Sequence, residues 1–392
     1  MRDVDDHWRA DPQELGLDPE KLEALLTRVR REVDAGLLPA AQVAVARYGK
    51  LAVFESFGEA QSESLFVVFS ATKAITAAAA WLLIQDGRLD ETERVADIIP
   101  EFAANGKRDI RVEQLLTHTA GFPAAPFRAL EWFDLGRRLE RFATWRTDWQ
   151  PGSRFVYHPT SSMWVVAEII ERRSGLSYQQ FIREQIAQRL GLPDLYVGLP
   201  QSQDHRVLPC VHTGEPATAA DFEALRLPAP RVTEVTEESI SSFNDPEVRS
   251  VGVPGGGGIM GAAELALFYQ GLLHGGLPYG GGRETEIWQD LTLARARHVR
   301  TGEFLDPDTN QPANRGLGLI IAGDEFRNAR GFGKTNSPEA FGHNGAGGQL
   351  AWADPATGLS LAYCTNGHDR NVIRRGRRGT AISSLAAVCV AD

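Results

Sequence analysis

The chain of 392 residues is 43% hydrophobic and 23% charged, ordinary for a globular protein and long enough for one large domain or two interleaved ones. Its net charge of −10 argues against nucleic acids and anionic membranes as main partners. No stretch approaches the roughly 18 consecutive apolar residues of a membrane span.

Met1 to Asp6 is acidic and lacks the apolar stretch of a signal peptide, so a cytoplasmic protein is the expectation, with a trimmed export signal as the alternative. Cys210, Cys364 and Cys389 lie far apart without metal or redox spacing, and are expected to be reduced and structural. The nine histidines show neither H-x-H nor H-E-x-x-H spacing, so no metal is expected, and nothing implies a cofactor. Oligomeric state has no signature in the sequence.

In chain order, residues 19–35 repeat apolar positions at helical spacing behind Pro19. Residues 41–46 read as a strand, 48–50 as a turn and 51–54 as the returning strand of a hairpin. The apolar run 66–69 then feeds an alanine-rich helix over 74–83, with Ser70 at the join. Short apolar segments follow at 95–100 and 112–116, the second running into a helix stop at 117–123. Residues 161–174 and 177–190 are amphipathic helices separated by Gly175, and Gly191-Leu192-Pro193 ends the second. From about 200 to 254 periodicity fades, which suggests a lid or pocket wall, or equally a plain surface insertion.

Strand character returns at 349–353 and 359–364 around a turn at 354–358, and 381–390 reads as a terminal helix. The cluster Arg374, Arg375, Arg377 and Arg378 reads as a solvated surface beside that helix. Strands at both ends with helices between them predict an α/β (α+β) fold, an antiparallel sheet flanked by helices plus a mainly helical insertion. The expected division is 17–66 with 250–392 for the sheet domain, and 67–249 for the helical one, with 200–249 loop-rich.

Ser70 and Lys73 are three apart at the start of a helix, so they share one face with Cβ atoms about 5–6 Å apart. As a helix cap, Ser70 would favour Glu or Gln at the third position; Lys73 stands there instead, opposing the helix dipole. A hydroxyl beside an amine on one turn can form a nucleophile and its base. Further along stand Tyr157, in Pro151-Gly152-Ser153-Arg154-Phe155-Val156-Tyr157-His158-Pro159, and His343-Asn344-Gly345-Ala346 just before the late hairpin.

This ordered set resembles the serine β-lactamase/penicillin-binding-protein superfamily, most closely its class C β-lactamase-like carboxylesterases (family VIII esterases) and D-aminopeptidase-type relatives. The resemblance extends from about Leu17 to the C-terminus. It includes Leu115-Leu116-Thr117-His118-Thr119-Ala120-Gly121, the glycine-rich run Pro254 to Gly261, and Asp354-Pro355 with Gly358. It implies a β-lactamase/transpeptidase-like fold with Ser70 as acylated nucleophile and Lys73 and Tyr157 as its proton-handling pair. It also implies an oxyanion hole from the backbone N–H groups of Ser70 and Ala346.

Two departures weaken the antibiotic reading. Pro159 stands where lactamases carry Asn, and His343-Asn344-Gly345 stands where they carry K-T-G, replacing a permanent cation with imidazole. The expected substrates are therefore short-chain carboxylic esters, with His343, Asn344, Gly345 and His158 as pocket candidates. A β-lactamase, a D-peptidase or transacylase, and a non-catalytic binding protein are the rival readings.

Other motifs are weaker. Gly256, Gly258 and Gly261 satisfy G-x-G-x-x-G without a strand before them, and Gly333-Lys334-Thr335 lacks the first glycine of a phosphate loop. No G-x-S-x-G occurs. His118 reads as a structural hydrogen-bonder; Trp132, Phe133, Trp145 and Trp149 either line the pocket or pack the helical insertion, with packing the preferred reading.

Overall fold

The computed structural model describes residues 6–225, 235–279, 283–284 and 286–391. Helix α1 (Pro19–Asp34) starts where Asp18 accepts hydrogen bonds from the Glu20 and Lys21 N–H groups and Pro19 presets the first turn. Strands β1 (Ala40–Arg47) and β2 (Lys50–Gly58) form the first hairpin. Two long helices follow, α2 (Thr72–Gln85) and α3 (Ser161–Ser174), then α4 (Ala262–His274). The late strands are β3 (Ile320–Ile321), β4 (Phe341–Gly342), β5 (Leu350–Asp354) and β6 (Leu359–Thr365), and α5 (Val372–Ala387) closes the chain.

The strands form one antiparallel sheet in the order β3-β4-β5-β6-β1-β2, so the ends of the chain meet at its centre, with Val43 opposite Tyr363 and Val45 opposite Leu361. Side chains alternate across the pleat. Val43, Val45, Leu361 and Tyr363 meet α1 and α5 on one face, whereas Ala44, Ala46, Ala362 and Cys364 join the core that contains α2, α3 and α4. Small residues on that second face leave room for α4 to lie close. This is the α/β fold with an antiparallel sheet expected from the sequence.

Helix α2 is buried along nearly its whole length, which explains its alanines: large side chains all round would keep its neighbours away. Trp288 donates to the Ala78 carbonyl, and Gly318, with φ +79°, crosses so close that a Cβ there would overlap Ala77.

Four sequence expectations need correction. The terminal helix begins at Val372 rather than 381, because Asn371 caps it by accepting from the Arg374 N–H at 2.9 Å. Its arginines are not one solvated surface: Arg378 is buried, paired with Glu32 and, at 2.6 Å, with Asp369, while Arg374 pairs with Asp369. The 177–190 helix contains a π-helical stretch, Arg183–Ala187. The 200–254 segment holds short helices at Ala219–Ala224, Glu237–Ser241 and Pro246–Val251, capped by Thr218, Thr236 and Asp245 and too short to show a period; residues 226–234 lie outside the described residues.

The buried pairing predicts a measurable cost. Arg378→Leu leaves two carboxylates facing a space without their shared cation, and is expected to lower unfolding free energy by about 3–5 kcal/mol in urea denaturation. An unchanged midpoint would show that Arg28, which pairs with Glu32 at 2.8 Å, and Arg374 compensate fully.

Candidate active site

Ser70 is held by a short strand on one side and α2 on the other. Phe66–Val67 pairs with Gly258–Met260, and the Val68 N–H continues this pairing to the Gly258 carbonyl at 2.9 Å. Phe69 then takes φ +45°, a conformation that a bulky residue adopts only at a cost. Edge-on packing against Phe243 and His368, with ring centroids 5.3 and 4.9 Å away, holds it there. Thr72 locks the turn: its hydroxyl donates to the Phe69 carbonyl at 2.6 Å and accepts from the Gly258 N–H at 2.8 Å. The Ser70 side chain is thereby presented outward ahead of α2 rather than used as a cap.

Lys73 is fully buried, and its Nζ lies 2.6 Å from both the Pro159 and Gly255 carbonyls and 3.3 Å from Ser70 Oγ. Two carbonyls can hold two N–H bonds, leaving the third position of the nitrogen toward Ser70. The Tyr157 hydroxyl donates to Ser70 Oγ at 2.8 Å, and the Lys73 nitrogen sits 5.0 Å from the Tyr157 ring centre. The structure thus brings Ser70, Lys73 and Tyr157 into mutual contact across the core.

The Tyr157 segment is braced by the 115–121 stretch. Val156 N–H donates to the His118 carbonyl and His158 N–H to His118 Nδ1, each at 3.2 Å, with His118 itself at φ +59°. His158 is not a pocket residue, contrary to the sequence expectation. It is fully buried behind Tyr157, where Nε2 accepts from the Phe122 N–H at 3.1 Å. Asn344 is corrected likewise: its amide donates to the Gly331 carbonyl and accepts from the Ala351 N–H, so it fixes the loop instead of facing a ligand. His343 is buried, with Nδ1 2.9 Å from the Asn344 carbonyl and its ring 6.0 Å from that of Tyr157. Gly345 acts through its lack of a side chain, since a Cβ would overlap the Val68 carbonyl. That close approach sets Ala346 beside Ser70 on the wall of one cavity.

Burial keeps these imidazoles neutral. It pushes His118 and His343 well below the usual histidine range and His158 down to about 4, with Lys73 adding to the shift in each and Arg315 in the first two. The unfolded chain takes up protons at these sites below about pH 6.5, while the folded chain does not. Stability is therefore present above that pH and lost as pH falls toward about 4 for His158, an effect of about 3 kcal/mol from this one residue. Urea denaturation at pH 7 and pH 5 checks this: the parent is expected to lose more stability between the two than His158→Asn does.

The cavity beside Ser70 has a volume of about 720 Å³. Its wall includes Phe69, Phe127, Trp164, Ile240, Phe243 and Ala346, so the 200–254 segment does supply part of the pocket. Trp132 and Trp145 are core residues as expected, with Trp132 stacked behind Trp164, while Phe133 is exposed. Sequence reasoning missed Trp164, Phe127 and Phe243, which carry no motif. It also missed Thr72, although its place between Ser70 and Lys73 was a signal, and Arg315, a buried cation whose guanidinium carbon lies 5.5 Å from the Tyr157 ring centre.

The antiparallel sheet, its flanking helices and the cluster at the head of α2 are those of a beta-lactamase-like serine hydrolase. The chain belongs to the beta-lactamase family, whose model, described as Beta-lactamase, matches residues 26–385. Among solved structures it is similar to a penicillin-binding protein homolog from Caulobacter crescentus, at 28% identity and TM-score 0.75, covering 95% of this chain and 99% of that one. It is similar also to a family VIII carboxylesterase, at 26% identity and TM-score 0.76 with the same coverage. Among curated proteins, it is 24% identical to one from Escherichia coli (strain K12) named "Putative D-alanyl-D-alanine carboxypeptidase", over 91% of this chain and 84% of that one.

Proposed function

We propose that the protein is a serine carboxylesterase acting through an acyl-enzyme on Ser70. The observation that carries this reading is the contact of Ser70 Oγ with both Tyr157 and Lys73 at the wall of an apolar cavity. Ser70 Oγ attacks the ester carbonyl carbon, and its proton passes to the Lys73–Tyr157 pair. The oxyanion formed is held by the backbone N–H groups of Ser70 and Ala346. Collapse breaks the ester C–O bond, the pair returns the proton to the leaving alcohol, and water then releases the acid and restores Ser70. Lys73 and Tyr157 act as one proton-accepting unit in this scheme.

Esters fit the surroundings better than β-lactams. Pro159 has no side-chain amide, the Asn344 amide is committed to backbone groups, and His343 is neutral, so none of them offers the donors or permanent charge that an anionic lactam would need. The similarity to a family VIII carboxylesterase supports the same choice. The name of the Escherichia coli relative supports a second reading, a D-alanyl peptidase with the same three residues.

Initial rates on p-nitrophenyl acetate, butyrate and octanoate, on nitrocefin and on a D-Ala-D-Ala peptide distinguish these. Ester turnover far above the other two is expected, and the cavity volume has room for acyl groups beyond a short chain. Peptide or nitrocefin turnover exceeding that of every ester would overturn the esterase reading.

A further inference from the structure

Among the described residues, Arg315 is a buried cation without an ion-paired carboxylate. Its backbone is anchored independently of its side chain: the N–H donates to Thr301 Oγ1 at 3.0 Å and the carbonyl accepts from Arg300 N–H at 2.7 Å. Its guanidinium lies against two rings, 5.1 Å from the centre of Phe155 and 5.5 Å from that of Tyr157. Nε and Nη1 are buried with no hydrogen-bond partner, and among the described residues no carboxylate pairs with it. Burial disfavours its charge most, Tyr157 and Asp306 favour it without a hydrogen bond, and Arg330 opposes it. A buried unpaired charge is costly, and stacking on rings recovers only part of that cost. A structural role would be met better by Leu or Met at no such cost. Function is the more economical account, and the functional group beside it is Tyr157.

The groups facing Tyr157 are Ser70 and Lys73 from the head of α2, His118 from the 115–121 stretch, His343 from the loop before β5, and Arg315. The two histidines are held neutral and Lys73 exchanges a proton in the reaction, so Arg315 is the cation whose charge stays fixed at working pH. On the esterase reading above, we propose that Arg315 is a positioning residue whose fixed charge favours negative charge on the Tyr157 oxygen in the form of the Lys73–Tyr157 pair that is one proton short and ready to receive the Ser70 proton. The proton leaves Ser70 Oγ as its bond to the acyl carbon forms, resides on the pair, and leaves with the alcohol. Arg315 exchanges no proton.

The test compares the parent with Arg315→Met, Arg315→Gln and Arg315→Lys. The readouts are the pH dependence of kcat/KM for p-nitrophenyl butyrate and the rate of Ser70 labelling by a fluorophosphonate. In both neutral variants the acid-side limb is expected to move up by about 1–3 pH units, the range for loss of a nearby opposite charge. At pH 7 kcat should fall about tenfold or more and recover in alkali, with KM changed less than about threefold. Arg315→Lys should keep the parent limb. Thermal melts identify which variants are folded, and Arg315→Gln retains polar character where Met disturbs packing. A folded neutral variant whose limb matches the parent's, or whose rate falls equally at every pH, overturns the role of Arg315 alone. Absence of Ser70 labelling in the parent overturns the esterase reading and the role of Arg315 with it.

Discussion

Ser70→Ala is expected to lower kcat for p-nitrophenyl butyrate by on the order of 10⁴–10⁶ with little change in fold, since removing the nucleophile of such a unit abolishes the covalent route. The small residue suits the site structurally. Ser70 makes no capping bond to α2, and the turn is locked by Thr72 and by the pairing of Val68 with Gly258, none of which Ala disturbs. The melting temperature should therefore stay close to that of the parent, separating lost chemistry from lost structure. What activity remains comes from binding and the oxyanion donors alone.

Tyr157→Phe is expected to reduce kcat by about 10²–10⁴, the usual range for a group that moves a proton in the transition state. The ring itself packs against His118 and lies beside Lys73 and Arg315, so Phe preserves the stack and deletes only the oxygen. Lys73→Met should cost a similar factor. It also leaves the Pro159 and Gly255 carbonyls without their buried donor, so a loss of about 1–3 kcal/mol in stability is expected as well. The double variant should lose little more activity than the worse single one, because both residues serve one proton transfer. Steady-state kinetics on the three proteins check this; fully multiplicative losses would mean that Lys73 and Tyr157 act in separate steps.

The sequence exposed the elements with a period or a turn signature. Pro19 marked the start of α1, the turns at 48–50 and 354–358 marked the two hairpins, and Gly175 marked the end of α3. It did not expose the short helices around 219–251, which are one or two turns long and identified by caps rather than by periodicity. The meeting of Ser70 with Tyr157 was legible only through the order of several weak motifs, since nothing local in the chain records a contact over that separation. His158 adjoins Tyr157 and Asn344 is the middle of the His343-Asn344-Gly345 triplet, which is what points both to the pocket in the sequence. Their side chains instead satisfy buried backbone groups, a demand that sequence does not display. The positive φ of Phe69 and the isolation of Arg315 are equally invisible, because each is defined by what surrounds the residue after folding.

The most direct test of Ser70 as the reacting group is mass analysis of the protein after exposure to a fluorophosphonate, read alongside the loss of ester turnover. A single adduct on the peptide containing Ser70, forming at the rate at which activity disappears and absent in Ser70→Ala, is the expected result. An adduct on another residue that tracks the loss of activity, or full ester turnover in Ser70→Ala, would contradict it.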